Sequence, residues 1–323
     1  MTVLAQHLYL DSYLAPLAQW LGRDDVTDIY INRPGEVWAE TLGGGIERHE
    51  TPGLDRTALL RLARQIAAAN AQGINRESPL LAASLPDGSR VQVVLPPATR
   101  GEVAIAIRRH VVQDLDLESY RGAAEGLRIE PLGTSGRFGV GHRGDPIAFL
   151  RHAVRDRRNI LVSGGTSTGK TTFLNTLLRE VPQRERLILI EDAAELQLRH
   201  ENAVGLIAAR GNQGEAEVNA DDLLIAALRM RPDRIILGEI RGAEAITFLR
   251  AVNTGHPGSL STIHADSPER AIDQLALLVL QAGSRLSWDD VVRYIARSID
   301  VIVQLDRSEG VRRIAQLRIT QPE

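Results

Sequence analysis

Residues 159–178 read NILVSGGTSTGKTTFLNTLL. An apolar run at 159–163 feeds a glycine-rich turn, and a helical pattern opens at Lys170. The turn, Gly164-Gly165-Thr166-Ser167-Thr168-Gly169-Lys170-Thr171, fits G-x-x-x-x-G-K-[ST]. In that pattern backbone N–H groups cradle phosphates, the lysine reaches the outer phosphates and the following hydroxyl takes Mg²⁺. Strand, loop and helix in this order are the context the pattern needs. Composition points the same way: of 38 lysines and arginines, only Lys170 is a lysine. A guanidinium is a broad planar fork, an ammonium a compact point charge. Where the backbone curls tightly around an anion, only the point charge fits. The segment therefore predicts a nucleoside triphosphate site made by Gly164, Gly165, Thr166, Ser167, Thr168, Gly169, Lys170, Thr171 and Thr172, with Thr171 on Mg²⁺.

Working toward the C-terminus, residues 186–190, 234–237 and 259–263 are further buried runs, and 170–178 and 221–230 read as helices. Buried runs alternating with helices predict an α/β domain with a mostly parallel sheet. Ligands bind beyond the carboxyl ends of such strands, so the charged residues that follow each run should converge on one edge. Glu191 and Asp192 follow the first of these runs, with Glu195 close behind, and Glu239 follows Gly238 after the second. A carboxylate there can bind Mg²⁺ through water or orient an attacking water, and Glu191 and Glu239 are both candidates for either role. Asp192 is equally readable as a cap on the turn that follows it. Gly238 is expected to bring the backbone close to the phosphates. His256 and His264 flank the 259–263 run. Without further ligands at metal spacing, His264 reads as a hydrogen-bond sensor of the terminal phosphate and His256 as supporting. Arg241 stands two residues past Glu239 and Arg210 lies in a loop at 209–214; either can supply transition-state charge.

Toward the N-terminus the chain reads as a smaller α+β domain, residues 1–120. It has a helix at 3–21 striped with Leu10, Leu14, Leu17 and Leu21, strands at 28–32 and 36–40 around an Arg-Pro-Gly turn, a helix at 55–69, and alternating runs at 90–95 and 102–109. Arg90, Arg108 and Arg109 lie in these last runs. Residues 121–146, rich in glycine, read as a linker about which the two domains swing, and 147–323 as the phosphate-binding domain.

The whole chain of 323 residues carries a net charge of −3, with 43% hydrophobic and 4% aromatic residues and no cysteine. That excludes disulfides and cysteine-ligated zinc, fits a reducing compartment, and provides no global basic field for nucleic acid. No apolar run reaches membrane-spanning length and the N-terminus lacks a secretory signature, so a cytoplasmic location is expected. A guanine-specific Asn-Lys-x-Asp signature is missing, which disfavours a GTP switch.

Four boxes occur together: GGTSTGKTT at 164–172, LILIEDAAEL at 187–196, RMRPDRIILGEIRG at 229–242 and TGHPGSLSTIHADSP at 254–268. In this order they resemble the type II/type IV secretion traffic ATPases, a hexameric branch of RecA-like P-loop motors. The wording of the last two boxes is most similar to the cytoplasmic ATPase of type IV secretion and conjugation machines. Type II secretion and pilus-assembly relatives usually carry a four-cysteine zinc module, which the cysteine-free chain cannot form; pilus-retraction relatives resemble these boxes less closely. The resemblance implies ATP as nucleotide and Glu191, Glu239, His256 and His264 as functional residues, with an N-terminal arginine, best matched by Arg108, reaching the phosphates. It also implies a homohexamer at the cytoplasmic face of the inner membrane, working with inner-membrane components and other ATPases of the machine. A RecA-like nucleic-acid motor is the alternative of a different class. Few aromatics and a negative net charge leave it without the basic, stacking surface such motors use.

Overall fold

Alternating apolar and polar residues build the first of two sheets in the computed structural model, which describes residues 10–42, 44–109, 115–121, 124, 127, 129–132, 144–208, 218–308 and 311–320. The chain divides into two compact units. One takes it up to Val112, and the other takes Gln113–Ala208 and Val218–Glu323.

In the first unit, β1 (Val26–Ile31), β2 (Glu36–Thr41), β3 (Ile46–Glu50), β4 (Leu80–Ser84), β5 (Arg90–Val94) and β6 (Ala104–Arg108) form one sheet in the order β3-β2-β1-β6-β5-β4. Every pairing in it is antiparallel. One face is apolar: Ile29, Ile31, Val91, Val93, Ile105 and Ile107 are buried together. Helix Arg56–Ala69 covers them with Leu59, Leu62, Ala63 and Ile66, its first turn capped by the Asp55 carboxylate, which accepts from Ala58 N–H. The N-terminal helical stripe runs Leu10, Leu14, Leu17 and Trp20, with Leu21 only partly buried. Pro16 tightens Ala15–Leu17 into a 3₁₀ turn, which shifts the buried face by one residue and moves Trp20 inward in place of Leu21. Residues 3–9 of the expected helix lie outside the described residues.

The second unit holds an eight-stranded sheet. Its strands are β7 (Ile129–Leu132), β8 (Ile160–Gly164), β9 (Leu187–Glu191), β10 (Ala203–Ile207), β11 (Arg234–Ile240), β12 (Leu260–Ile263), β13 (Val301–Ser308) and β14 (Val311–Thr320), in the order β10-β9-β11-β12-β8-β13-β14-β7. Pairing is parallel from β10 to β13, antiparallel between β13 and β14, and parallel again to β7. Residues of β8, β9 and β12 are buried throughout, as expected of strands covered on both faces. Their side chains alternate between two cores. Ile160, Val162, Leu187 and Leu189 face Phe149, Leu150, Phe173, Leu174 and Leu177. Leu161, Ile188 and Ile190 face Leu224, Phe248, Leu249, Leu275 and Val279.

The expected linker at 121–146 is corrected in part. Residues 129–132 are sheet, paired with β14, and helix Pro146–Arg155 starts at the end of that segment, its N–H groups at Ile147 and Ala148 bonded to the Asp145 carboxylate. The strand finds an edge at the C-terminal hairpin, a partner too distant in sequence for local composition to reveal. Residues 133–143 lie outside the described residues. The division near 112 also moves the short turn Leu117–Tyr120 into the second unit, where Leu117 and Tyr120 are buried in the phosphate-strand core. No helix among the described residues is long and apolar enough to cross a membrane.

Candidate functional site

The carboxyl ends of β8, β12, β11 and β9 lie side by side, so the loops after them meet. At the end of β8 the chain turns through Ser167 at φ 61° and Gly169 at φ 89° before helix Lys170–Leu178 begins. Gly169 needs that left-handed backbone, and the space above it is taken: a Cβ there would stand 2.7 Å from Arg312 Cδ. A Cβ at Gly164 would stand 2.4 Å from Thr168 Oγ1 and 3.1 Å from the Leu305 carbonyl. Thr168 Oγ1 donates to the Gly165 carbonyl at 2.9 Å and holds the loop closed on itself. Backbone N–H groups at a helix N-terminus, with glycines where side chains would fill the cradle, suit the phosphates of ATP.

Lys170 Nζ donates to the Gly164 and Gly165 carbonyls at 3.0 and 3.2 Å and lies 3.8 Å from Glu239 Oε1. Arg241 closes on Glu239 Oε2 and approaches Asp192 Oδ2 at 3.4 Å. Lys170, Glu239, Arg241 and Asp192 thus form an alternating chain of charge along the edge. Glu239 owes its place to a bulge. Leu237 pairs with Ser261 but Ile240 pairs with Ile263, so β11 spends one more residue than β12. Such a bulge re-aims a side chain, and here it turns the acid toward the lysine.

Gly238 has a different purpose from the one expected. A Cβ on it would stand 3.2 Å from Glu191 Cβ and 3.5 Å from the Ile190 carbonyl, so the glycine lets β11 and β9 close up rather than admitting the phosphates. Glu191 is buried, and its Oε2 accepts from the N–H groups of Glu195 and Leu196 at 2.9 and 2.8 Å. The cap considered for Asp192 is therefore made by Glu191, while Asp192 pairs with Arg241.

The two histidines separate. His264 is exposed just past the carboxyl end of β12, in the same loop as Asp266, whose Oδ1 lies 3.9 Å from a Cβ built on Gly165. His256 precedes β12, at the opposite end of the sheet, with Nδ1 3.1 Å from the Pro232 carbonyl. The fold does not bring His256 to the phosphate loop of its own chain, because β12 runs the length of the sheet between the two. Arg210 lies outside the described residues.

In the first unit, Arg108 is exposed at the end of β6, opposite Asp28 on β1 and opposite Arg90 on β5, with its Nε 4.0 Å from Asp28 Oδ1. Burial pushes the Asp28 carboxyl above its usual range, while Thr27 and Arg108 pull it back. Arg109, by contrast, is committed to structure: its Nη1 donates to the carbonyls of Arg23 and of Val26, the latter at 3.0 Å.

Two residues escape sequence reading altogether. Arg312 on β14 rests on Gly169, and its Nη1 lies 3.5 Å from Thr172 Oγ1. Gln304 on β13, 4% exposed, bonds Ser163 Oγ through its Oε1 and donates Nε2 to the Ala265 carbonyl at 3.2 Å. It joins the phosphate strand to the His264 loop from below. Both come from a hairpin that only strand pairing places beside β8.

Comparison with known proteins identifies the family. Residues 12–314 match the family described as type II/IV secretion system protein. The type IV secretion system protein PtlH of Bordetella pertussis is 40% identical over 316 residues, covering 93% of this chain and 91% of the relative. The type IV secretion system protein VirB11 of Bartonella henselae is 35% identical over 324 residues, covering 94% and 91%. Among solved structures, the VirB11 ATPase of the Brucella suis type IV secretion system, in complex with sulphate, aligns with a TM-score of 0.52 at 34% identity over 98% of this chain and 96% of that one. The pilus retraction motor PilT with bound ADP, at 21% identity and TM-score 0.59 over 92% and 80%, shares the fold. A match running through both units, with relatives at this identity over nearly their whole length, makes the chain a member of the type II/IV secretion system protein family.

Proposed function

We propose that this secretion ATPase hydrolyses ATP as a ring of six copies and passes the motion to inner-membrane components and other ATPases of a type IV secretion machine, at the cytoplasmic face of the inner membrane. The observation that carries the reading is the meeting of a glycine cradle, Lys170 and Glu239 on one sheet edge, with Lys170 Nζ 3.8 Å from Glu239 Oε1.

The backbone of Gly164–Thr172 holds the phosphates, and Lys170 swings from the Gly164 and Gly165 carbonyls onto the outer ones. Thr171 would offer its hydroxyl to Mg²⁺, with Glu191 or Glu239 holding the ion through water; when bound it would supply positive charge to the phosphates. Glu239 stands on the lysine side, where the terminal phosphate ends, and is the carboxylate placed to orient the attacking water. Glu191, with one oxygen given to backbone N–H groups, fixes the turn behind it. His264, exposed on the same edge, senses the terminal phosphate, and Arg241 supplies charge once released from Glu239. His256 faces away from this chain's own cradle and supports the loop before β12.

The test is light scattering with and without a non-hydrolysable ATP analogue, beside an ATPase assay. A sixfold mass with the analogue and magnesium-dependent turnover are expected. A monomer under every condition removes the ring, and no turnover in folded protein removes the ATPase assignment. Steep DNA stimulation of turnover would favour the nucleic-acid motor instead.

A further inference from the structure

The phosphate strand β8 has unlike neighbours. On its β12 side stand the acids Glu239, Asp266 and, beyond them, Glu191 and Asp192, with Arg241 paired to Glu239 and Asp192. On its β13 side stand Arg307 and Arg312, which pair directly across the β13–β14 hairpin. Directly opposed residues of an antiparallel pair share a face, and like charges there destabilise it. Arg312 is also packed against the beginning of helix Lys170–Leu178: its Cδ and Nε lie 2.7 and 3.0 Å from a Cβ built on Gly169, and Nη1 lies 3.5 Å from Thr172 Oγ1. A helix N-terminus carries partial positive charge and disfavours a cation. Arg312 therefore stands where an anion held by the loop would meet its guanidinium.

Which part of the anion it meets follows from the loop. The backbone of such a loop cradles the inner phosphates while the lysine reaches the outer ones. Lys170 leans toward Glu239, on the β12 side. Arg312 touches Gly169 and Thr172 from the β14 side, away from the acid that handles the terminal phosphate. A guanidinium can hold a phosphate by two parallel N–H···O bonds. Tyr120, buried beside Phe173 in an edge-on ring contact at 4.9 Å, feels the Arg312 charge: burial pushes its hydroxyl up to about 12, with that charge acting against the rise.

We propose that Arg312 binds the inner phosphates of the nucleotide, so that the C-terminal hairpin, and not only the phosphate loop, holds the nucleoside diphosphate common to ATP and ADP. The proposal rests on the reading of Gly164–Thr172 as a nucleotide site. It makes Arg312 a binding residue rather than a group of the hydrolytic step. Gly169 then serves two ends: it takes the left-handed backbone and it leaves room for the arginine.

The experiment is calorimetric titration of ADP into the full chain and into R312A, R312Q and R312K, with steady-state ATPase kinetics on each. Losing a charge-assisted phosphate contact should weaken ADP binding about ten- to a hundredfold in R312A and R312Q, with R312K recovering part of it. KM for ATP should rise in parallel while kcat stays within about threefold, the signature of uniform binding. Unchanged ADP affinity in a folded variant, or a fall in kcat at unchanged KM, overturns the proposal. Should the variants fail to fold, wild-type protein still decides. Peptide mapping after phenylglyoxal treatment should show Arg312 modified more slowly in the presence of ADP, and equal rates overturn the assignment. Absence of ADP binding by wild-type protein is a separate result, which removes the nucleotide site itself.

Discussion

At the scale of single residues, the two carboxylates that the sequence leaves equivalent are separated by their neighbours. Glu239 faces Lys170 across 3.8 Å, whereas Glu191 is buried and bonded to two backbone N–H groups. Glu239→Gln should therefore keep ATP binding and lose turnover by about 10²–10⁴-fold, measured as kcat beside a nucleotide affinity. Glu191→Gln keeps one acceptor oxygen and should lose less; a larger loss there than at Glu239 would exchange their roles. Lys170→Ala should abolish measurable turnover, and an ATPase rate near wild type in that variant contradicts the phosphate site. Lys170 was legible because it is the only lysine, and no such mark distinguishes Arg312 from the other arginines.

At the scale of elements, local signals show where most segments start. Asp55, Asp145, Asn219, Ser267 and Ser287 each accept from N–H groups of the helices they precede. Asn219 and Asp222 complete a reciprocal capping box on helix Ala220–Arg229. Asn219→Ala should cost about 1 kcal/mol of stability, read as a lowered denaturation midpoint with an unchanged slope, because the cap is exposed and only the bond its side chain accepts from Asp222 N–H is lost. The hairpin β13–β14 was not legible. Its alternation is broken by a register shift between Gln304 and Leu305, and Arg307, Arg312 and Arg313 interrupt its apolar residues. Nor does the one-residue bulge in β11 leave a mark in the sequence, since it exists only relative to β12.

At the scale of the whole molecule, the second unit is tied at one end of its sheet and open at the other. At the amino ends, Asn159 accepts from Gly258 and Ser259 N–H and donates to the Ser298 carbonyl at 2.8 Å. Arg234, fully buried, bonds both oxygens of Glu185 and the carbonyls of Val154 and Gly258. Arg234→Ala leaves the buried Glu185 charge with only the more exposed Arg157 beside it and should cost about 3 kcal/mol, seen as a fall in Tm. Burial opposes ionisation of Glu185, but Arg234 and Arg157 outweigh it and hold its carboxyl below its usual range. A depressed folded-state pKa contributes stability above the unfolded value of 4.5 that is lost as pH falls through the folded one. Wild-type protein should therefore lose stability below about pH 4.5 with a steeper slope than Glu185→Gln, and equal slopes in acid titrations of Tm would remove Glu185 from the account. The sequence by itself determined the phosphate loop, the alternation of buried runs with helices and the acids that follow those runs, because each of these depends on neighbours a few residues away. The tertiary structure alone decided that the strand of His264 lies between β8 and β11, that His256 falls at the far end of it, and that a C-terminal arginine covers the loop. Those facts follow from which strands pair, and pairing is set by buried faces meeting across stretches of chain that no local pattern spans.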